Sequence, residues 1–166
     1  IISVDSYQEL VAVTKALAWQ PTSKGNKIGL CSNGAGLIVA SFDKIEKEKL
    51  VIGKISSQRI KKIQEYFPPL YIIAKKGNPI DITGGATAKD YRFIIQEFMN
   101  ESNIDILMIL FAFQDEPLKE VIIDYLAEFS KKKLKPILVG GNGGTYTKNI
   151  SKLIKEKNIP VYDNIE

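Results

Sequence analysis

Two rhythms of apolar and polar residues alternate along this chain of 166 residues. Short unbroken apolar runs predict buried strands, and apolar residues three and four apart predict amphipathic helices. Asp5 to Ala18 has helical spacing, with Leu10, Val13 and Leu17 on one face and Ser6 and Glu9 at capping-box separation. Trp19 is expected to anchor that leading helix (residues 1–20), and Pro21 to Asn26 is a turn-rich connection. A strand starts near Lys27 with Ile28-Gly29-Leu30-Cys31, and a helix carrying Leu37, Ala40, Ser41 and Ile45 follows. The charged run Lys44 to Lys49 reads as a solvated face and turn. Leu50 to Ile55 is a weaker strand, and Ser56 or Ser57 caps a helix through Ile60, Ile63 and Tyr66 that Pro68-Pro69 stops.

Leu70 to Ala74 is expected to be extended, as an edge strand or a connection. Asn78 to Thr87 reads as a long polar and glycine loop, with Thr87 capping a helix from Ala88 to Asn100. Ile104 to Phe113 is the strongest buried strand, and runs of that kind mark central parallel strands covered on both faces. Pro117 to Lys131 is helical with Val121, Ile122, Tyr125, Leu126 and Phe129 inward, and Lys131 to Lys133 suit its negative end. Pro136 to Val139 is a strand running into the flexible loop Gly140 to Gly144. A helix over Lys148 to Lys157 and a strand over Pro160 to Tyr162 complete the order.

Strands alternating with helices imply a parallel sheet with right-handed crossovers. The expected fold is an α/β, flavodoxin-like three-layer sandwich over residues 1–166, with a mostly parallel five-stranded sheet in the order 2-1-3-4-5. In that topology ligands gather at the carboxyl ends of the strands, near the switch point beside the first strand. The loops at Ser32–Gly36, Asp81–Thr87, Phe111–Asp115 and Gly140–Gly144 all belong to that edge.

Bulk composition narrows the chemistry. A net charge of +4 spread over 23 basic and 19 acidic residues is too diffuse for a nucleic-acid surface. There is no histidine, so histidine catalysis, histidine metal ligation and a phosphohistidine are excluded within these residues. The single cysteine, Cys31, excludes an intrachain disulfide and a cysteine metal cluster, and reads as a small apolar filler. No apolar run is long enough to cross a bilayer, which points to a cytoplasmic protein with no membrane partner. Richness in lysine and isoleucine suggests a thermophile, and an AT-rich genome produces the same bias. The chain begins Ile1-Ile2 without methionine, as a piece of a longer protein would.

The stretch with most chemistry is Cys31-Ser32-Asn33-Gly34-Ala35-Gly36-Leu37. A strand, a glycine turn and a helix start make an anion site, because the first helical N–H groups have no intrahelical partner and sit at the positive end of the dipole. Gly34 and Gly36 let a phosphate approach the backbone, and Ser32 or Asn33 is placed to cap the helix. The same spacing is also that of an ordinary strand-to-helix turn. It is neither a Walker loop nor a complete dinucleotide fingerprint. Asp81, between two isoleucines, reads either as a loop aspartate bonding local N–H groups or as a polar group at the mouth of a site.

Ser32-Asn33-Gly34-Ala35-Gly36-Leu37 with Asp43, followed by Asp81-Ile82-Thr83-Gly84-Gly85-Ala86-Thr87, resembles the acyl-CoA synthetases (NDP-forming). Lys15-Ala16-Leu17-Ala18, Pro21, Gly25-Asn26 and the closing Ile159-Pro160-Val161-Tyr162 extend the resemblance over nearly the whole chain. The matching part is the flavodoxin-like ligase domain that ends the α subunit of ADP-forming acetyl-CoA synthetase and the β subunit of succinyl-CoA synthetase. The resemblance implies the reaction acyl-CoA + ADP + phosphate = acid + ATP + CoA, run through an acyl phosphate and a phosphohistidine. It assigns Ser32, Asn33, Gly34, Ala35 and Gly36 to half of a phosphate cradle. It places Asp81, Thr83, Gly84, Gly85, Ala86 and Thr87 at an acyl or phosphate-side loop; Gly140 and Gly141, from the loop that the topology puts at the same edge, are a candidate rim. No catalytic side chain, metal ligand or cofactor is expected from this chain alone. CoA, ADP or ATP, phosphate and Mg2+ would be bound by the full enzyme, whose CoA-binding domain, histidine-bearing ligase domain and ATP-grasp domain are the implied partners.

Two other readings stay open at this stage. One is a non-catalytic, ligase-like sensing or assembly domain of a protein acetyltransferase. The other is a flavodoxin-like nucleotide module, against which the lack of a hydroxyl-rich phosphate loop counts.

Overall fold

A computed structural model describes residues 2–67, 77–115 and 117–162. The elements run α1 (Tyr7–Trp19), β1 (Lys27–Ser32), α2 (Ala35–Lys47), β2 (Val51–Ile52), α3 (Ser57–Tyr66), β3 (Ile80–Asp81), α4 (Ala88–Met99), β4 (Ile106–Phe111), α5 (Ile122–Lys131), β5 (Ile137–Gly141), α6 (Thr145–Lys155) and β6 (Val161–Tyr162). The Pro68-Pro69 stop and the extended segment expected at Leu70–Ala74 lie outside the described residues.

The sheet order is β2-β1-β4-β5-β6 and every pairing is parallel. This is the expected 2-1-3-4-5 order. A sixth strand departs from it: β3 pairs with the carboxyl end of β1, Cys31 opposite Ile80 and Ser32 opposite Asp81. β2 takes the amino end of the same edge, Lys27 opposite Val51 and Ile28 opposite Ile52. Between them stands the Asn78 side chain. Its Oδ1 accepts the Leu30 N–H at 3.0 Å, and its Nδ2 donates to the carbonyls of Ile28 (2.8 Å) and Gly53 (2.7 Å). One carboxamide thus completes the ladder where two short strands leave β1 unpaired, as buried backbone groups require. The expected Asn78–Thr87 loop is therefore part strand, and Asp81 is a buried sheet residue.

The sheet divides the apolar interior in two. Ile28, Leu30, Leu110, Ile106 and Met108 lie against Ile38 and Ile45 of α2. Cys31, Leu107, Ile109, Phe111, Ile137 and Val139 lie in the larger cluster with Ile63 of α3, Ile94, Ile95 and Phe98 of α4, Leu126 and Phe129 of α5, and Ile150 and Ile154 of α6. In α2, Ser41 and Ile45 are buried and Leu37 packs against the cluster as expected, but Ile38 is buried as well and Ala40 is exposed. α5 starts at Ile122, leaving Val121 exposed and burying Ile123.

α1 differs most. It buries none of its residues, and Leu10 and Leu17 of the expected inner face are exposed. The opposite side, with Val11, Ala12, Lys15 and half-buried Trp19, lies beside Pro160, Val161 and Tyr162. The firm attachment is Gln20, whose side chain donates to Ser130 Oγ (3.1 Å) and the Asn158 carbonyl (3.2 Å) and accepts the Ile137 N–H (3.0 Å).

Candidate functional site

The carboxyl edge of the sheet brings Ser32–Gly36, Asp81–Thr87 and Phe111–Asp115 together. β1 ends at Ser32 and α2 begins at Ala35, with Gly34 as its N-cap and no side-chain cap bond. The expected capping by Ser32 or Asn33 does not occur. Ser32 Oγ accepts the Gly34 N–H at 3.0 Å. Asn33 turns into the sheet: its Oδ1 accepts the Ala112 N–H (2.8 Å), and its Nδ2 donates to the Ala112 carbonyl (3.1 Å) and to the Asp115 carboxylate (2.8 Å). Its carboxamide extends the β1–β4 ladder one step past the Ser32–Leu110 pair. The Asn33 backbone N–H donates to the Tyr91 hydroxyl at 2.8 Å.

The phosphate cradle expected over Ser32–Gly36 is thereby narrowed to its last two residues as a candidate. Ser32, Asn33 and Gly34 spend their polar groups on shaping the turn. Ala35 and Gly36 are exposed in the first turn, where N–H groups lack intrahelical acceptors. A methyl placed on Gly36 would meet nothing within 4 Å. The first turn carries no acidic residue, so its positive end is not neutralised from within, while Lys44 and Lys47 stand at the far end.

Beside this lies the second loop. Asp81 is buried and accepts the Thr83 N–H at 2.7 Å. Thr83 has φ 61°, left-handed backbone that is uncommon for a β-branched residue, held by that bond and by the Ala86 N–H to the Thr83 carbonyl. Gly84 is set against Asp115, whose carboxylate a Cβ there would meet at 3.1 Å, and Gly85 faces open space. Ala86 is buried. The N–H and hydroxyl of Thr87 both donate to Asp90 at 2.7 Å, so Thr87 serves the start of α4. Gly140 and Gly141 are not at a rim: they are buried β5 residues opposite Leu110 and Phe111. A Cβ would lie 2.6 Å from the Leu110 side chain at the first and 2.7 Å from the Phe113 ring at the second.

Two participants escape the sequence reading. Tyr91 falls on the apolar face of α4, where its spacing is that of a core aromatic. Asp115 closes a loop that the topology places at this edge, but nothing in its local sequence marks it as the partner of Asn33. Burial, with the ionisable groups of Cys31, Asp115 and Asp81 nearby, holds the Tyr91 hydroxyl well above its ordinary pKa. Burial chiefly, then Asp81, likewise raises the Cys31 thiol. Among the described residues no three histidine, cysteine, aspartate or glutamate side chains gather as a metal site, and no helix is long and apolar enough to cross a membrane.

No family model matches the chain. It aligns over its full length with the α subunit of the ADP-forming acetate–CoA ligase II of Pyrococcus furiosus, 24% identical over 172 positions and covering 36% of that subunit. It is 25% identical over 165 positions to the ADP-forming 4-hydroxybutyrate–CoA ligase of Nitrosopumilus maritimus, covering 99% of this chain and 23% of that protein. The solved dinucleotide-forming acetyl-coenzyme A synthetase 1 of Candidatus Korarchaeum cryptofilum superposes in its apo form with a TM-score of 0.86 at 26% identity, covering 99% of this chain and 36% of that one. The same synthetase in complex with phosphate and ADP superposes at 0.85 with 25% identity, covering 99% of this chain and 35% of that one. The chain is a homologue of the α subunits of ADP-forming acetyl-CoA synthetases, matched over about a third of their length.

Proposed function

We propose that this chain is a ligase domain of an NDP-forming acyl-CoA synthetase and supplies one helix N-terminus to the phosphoryl group in transit. The observation that carries the reading is the uncapped first turn of α2, with Ala35 and Gly36 exposed and space above Gly36. The homology to ADP-forming ligases supports phosphate as the anion.

Phosphoryl transfer asks a protein for position and electrostatics more than for covalent chemistry. The two N–H groups and the helix dipole supply both without a general base, which suits a sequence devoid of histidine. Each amide bond to the anion contributes about 1.5–3 kcal/mol. With two donors and no lysine clamp, the chain alone holds free phosphate no tighter than about millimolar, near −4 kcal/mol. The same turn in the assembled enzyme stabilises phosphate on a histidine borne by a second ligase domain. Val39 (69% exposed) and Phe42 (41%) lie on α2 beyond that turn, an apolar strip suited to seating that domain. CoA and ADP or ATP bind to other domains, the nucleotide in an ATP-grasp fold. Mg2+ accompanies the nucleotide there. By itself the chain is inactive, and the assembled enzyme works in the cytoplasm.

The test is labelling of the full-length protein, with its nucleotide-binding partner, by γ-labelled ATP. Acid-labile label on histidine, discharged by CoA plus carboxylic acid, is expected. A full-length protein that takes up no such label would refute the reading.

A further inference from the structure

Tyr91 stands beneath the approach to α2. Its ring is wholly buried and packs on Phe111 at a centroid separation of 4.4 Å. A phenylalanine would serve that packing equally well. The hydroxyl is what distinguishes it, and its partners are all at the carboxyl edge. It accepts the Asn33 N–H at 2.8 Å and shares its one hydrogen between Asn33 Oδ1 (2.8 Å) and the Leu110 carbonyl (2.9 Å).

The orientation of Asn33 leaves no freedom. Its Oδ1 faces an N–H of Ala112, and its Nδ2 faces the Ala112 carbonyl and the Asp115 carboxylate. A flipped amide would set donor against donor and oxygen against oxygen. The residue before the helix cap is therefore held at its backbone and its side chain by three elements: α4 through Tyr91, the end of β4 through Ala112, and the following loop through Asp115. Burial keeps the phenol protonated, so it remains a donor as well as an acceptor.

We infer that Tyr91 is a positioning residue for the amino terminus of α2, locking Asn33 so that the first turn offers the Ala35 and Gly36 N–H groups to an anion while that of Asn33 is withheld. The inference rests on the phosphate reading above and adds the device that sets its geometry. Without the hydroxyl, the Asn33 N–H loses its acceptor and the turn has reason to rotate toward other partners. The two exposed N–H groups then no longer share one fixed direction.

Amide hydrogen exchange and phosphate titration of the 15N-labelled chain test it. In the wild type, Asn33 should be protected at least a hundredfold more than Ala35 and Gly36. Tyr91→Phe should raise Asn33 exchange tenfold or more and weaken phosphate binding at Ala35 and Gly36 at least fivefold. Tyr66→Phe, which removes a hydroxyl bonded to Asp90 at 3.0 Å, should change neither. An Asn33 amide as open as Ala35 in the wild type overturns the inference, and this holds even if Tyr91→Phe does not fold. Unchanged phosphate affinity in a folded Tyr91→Phe chain also overturns it, whatever the loss in melting temperature, because packing alone would then be the role of Tyr91. A wild type whose Ala35 and Gly36 amides ignore phosphate refutes the phosphate reading instead. The lock then stands on Asn33 protection released in Tyr91→Phe, and falls without it.

Discussion

Replacing Gly36 with glutamate should move stability and anion binding in opposite directions. Gly36 is the second residue of α2 and has open space around its Cβ position. Exchanging glycine for a good helix former there gains about 0.5–1 kcal/mol. A carboxylate in the first turn meets the positive end of the dipole and adds about 0.3–1 kcal/mol. For a domain of this size, a gain of about 1 kcal/mol raises Tm by roughly 2–4 °C. The same carboxylate sits where the phosphoryl oxygens are proposed to lie. Two like charges about 4 Å apart at an effective dielectric of about 20 repel by about 4 kcal/mol, nearly a thousandfold in population. Phosphate binding to the chain should vanish, and histidine labelling of the full-length enzyme should collapse. CoA affinity, which belongs to another domain in this account, should be unchanged. Calorimetry, labelling from ATP and CoA titration read the three quantities on one variant. Normal labelling in a folded, more stable Gly36→Glu enzyme would refute the placement of the phosphate.

Three further outcomes are expected. Asn78→Ala strands the Leu30 N–H and the Gly53 carbonyl, while the Ile28 carbonyl keeps the Gly53 N–H, and at about 1–3 kcal/mol per unsatisfied group it should cost at least about 2 kcal/mol in urea unfolding; a loss below about 1 kcal/mol would show that β1 finds other partners. For Glu101, burial alone raises the carboxyl pKa, but the N–H of Ser56, with further help from Asn103 and Arg59, overcomes it and leaves the pKa below the ordinary value of 4.5. Stability from this group is therefore complete above that value and lost as pH falls through the depressed folded value, so Glu101→Gln should be less stable at pH 7 and show a flatter acid limb; an unchanged limb would contradict the linkage. Cys31, buried with its thiol pKa raised, should resist iodoacetamide at pH 8 until urea unfolds the chain, and rapid alkylation of the native chain would contradict its burial.

What was legible in the sequence follows from how each feature is made. β1 and β4 are six-residue strands with long apolar stretches, so periodicity finds them and the sheet order follows from their alternation with helices. β3 has two residues, one of them Asp81, and its pairing depends on the bridging of Asn78 fifty residues from its partner Ile28. No local pattern encodes that. The glycine turn before α2 is visible because strand, turn and helix are adjacent in the chain. The division of labour within it is not, because Asn33 is claimed by Ala112 and Asp115 from far along the chain. Gly140 and Gly141 look like a loop because glycine runs usually are one. Here they let β5 lie close to Leu110 and Phe113. Leu10 and Leu17 mark an apolar face on α1 correctly, yet that face points away from the described domain because Gln20 fixes the helix by its other side.

The central claim is that an anion is held by the first turn of α2. The most direct measurement is the amide spectrum of the 15N-labelled chain during titration with inorganic phosphate at constant ionic strength. The account expects the Ala35 and Gly36 resonances to shift together along one saturating curve with a midpoint near or above a millimolar, and the Asn33 amide, already bonded to Tyr91, to move little. Shifts confined to Lys131, Lys132 and Lys133, or no saturating shift at Ala35 and Gly36, would contradict it.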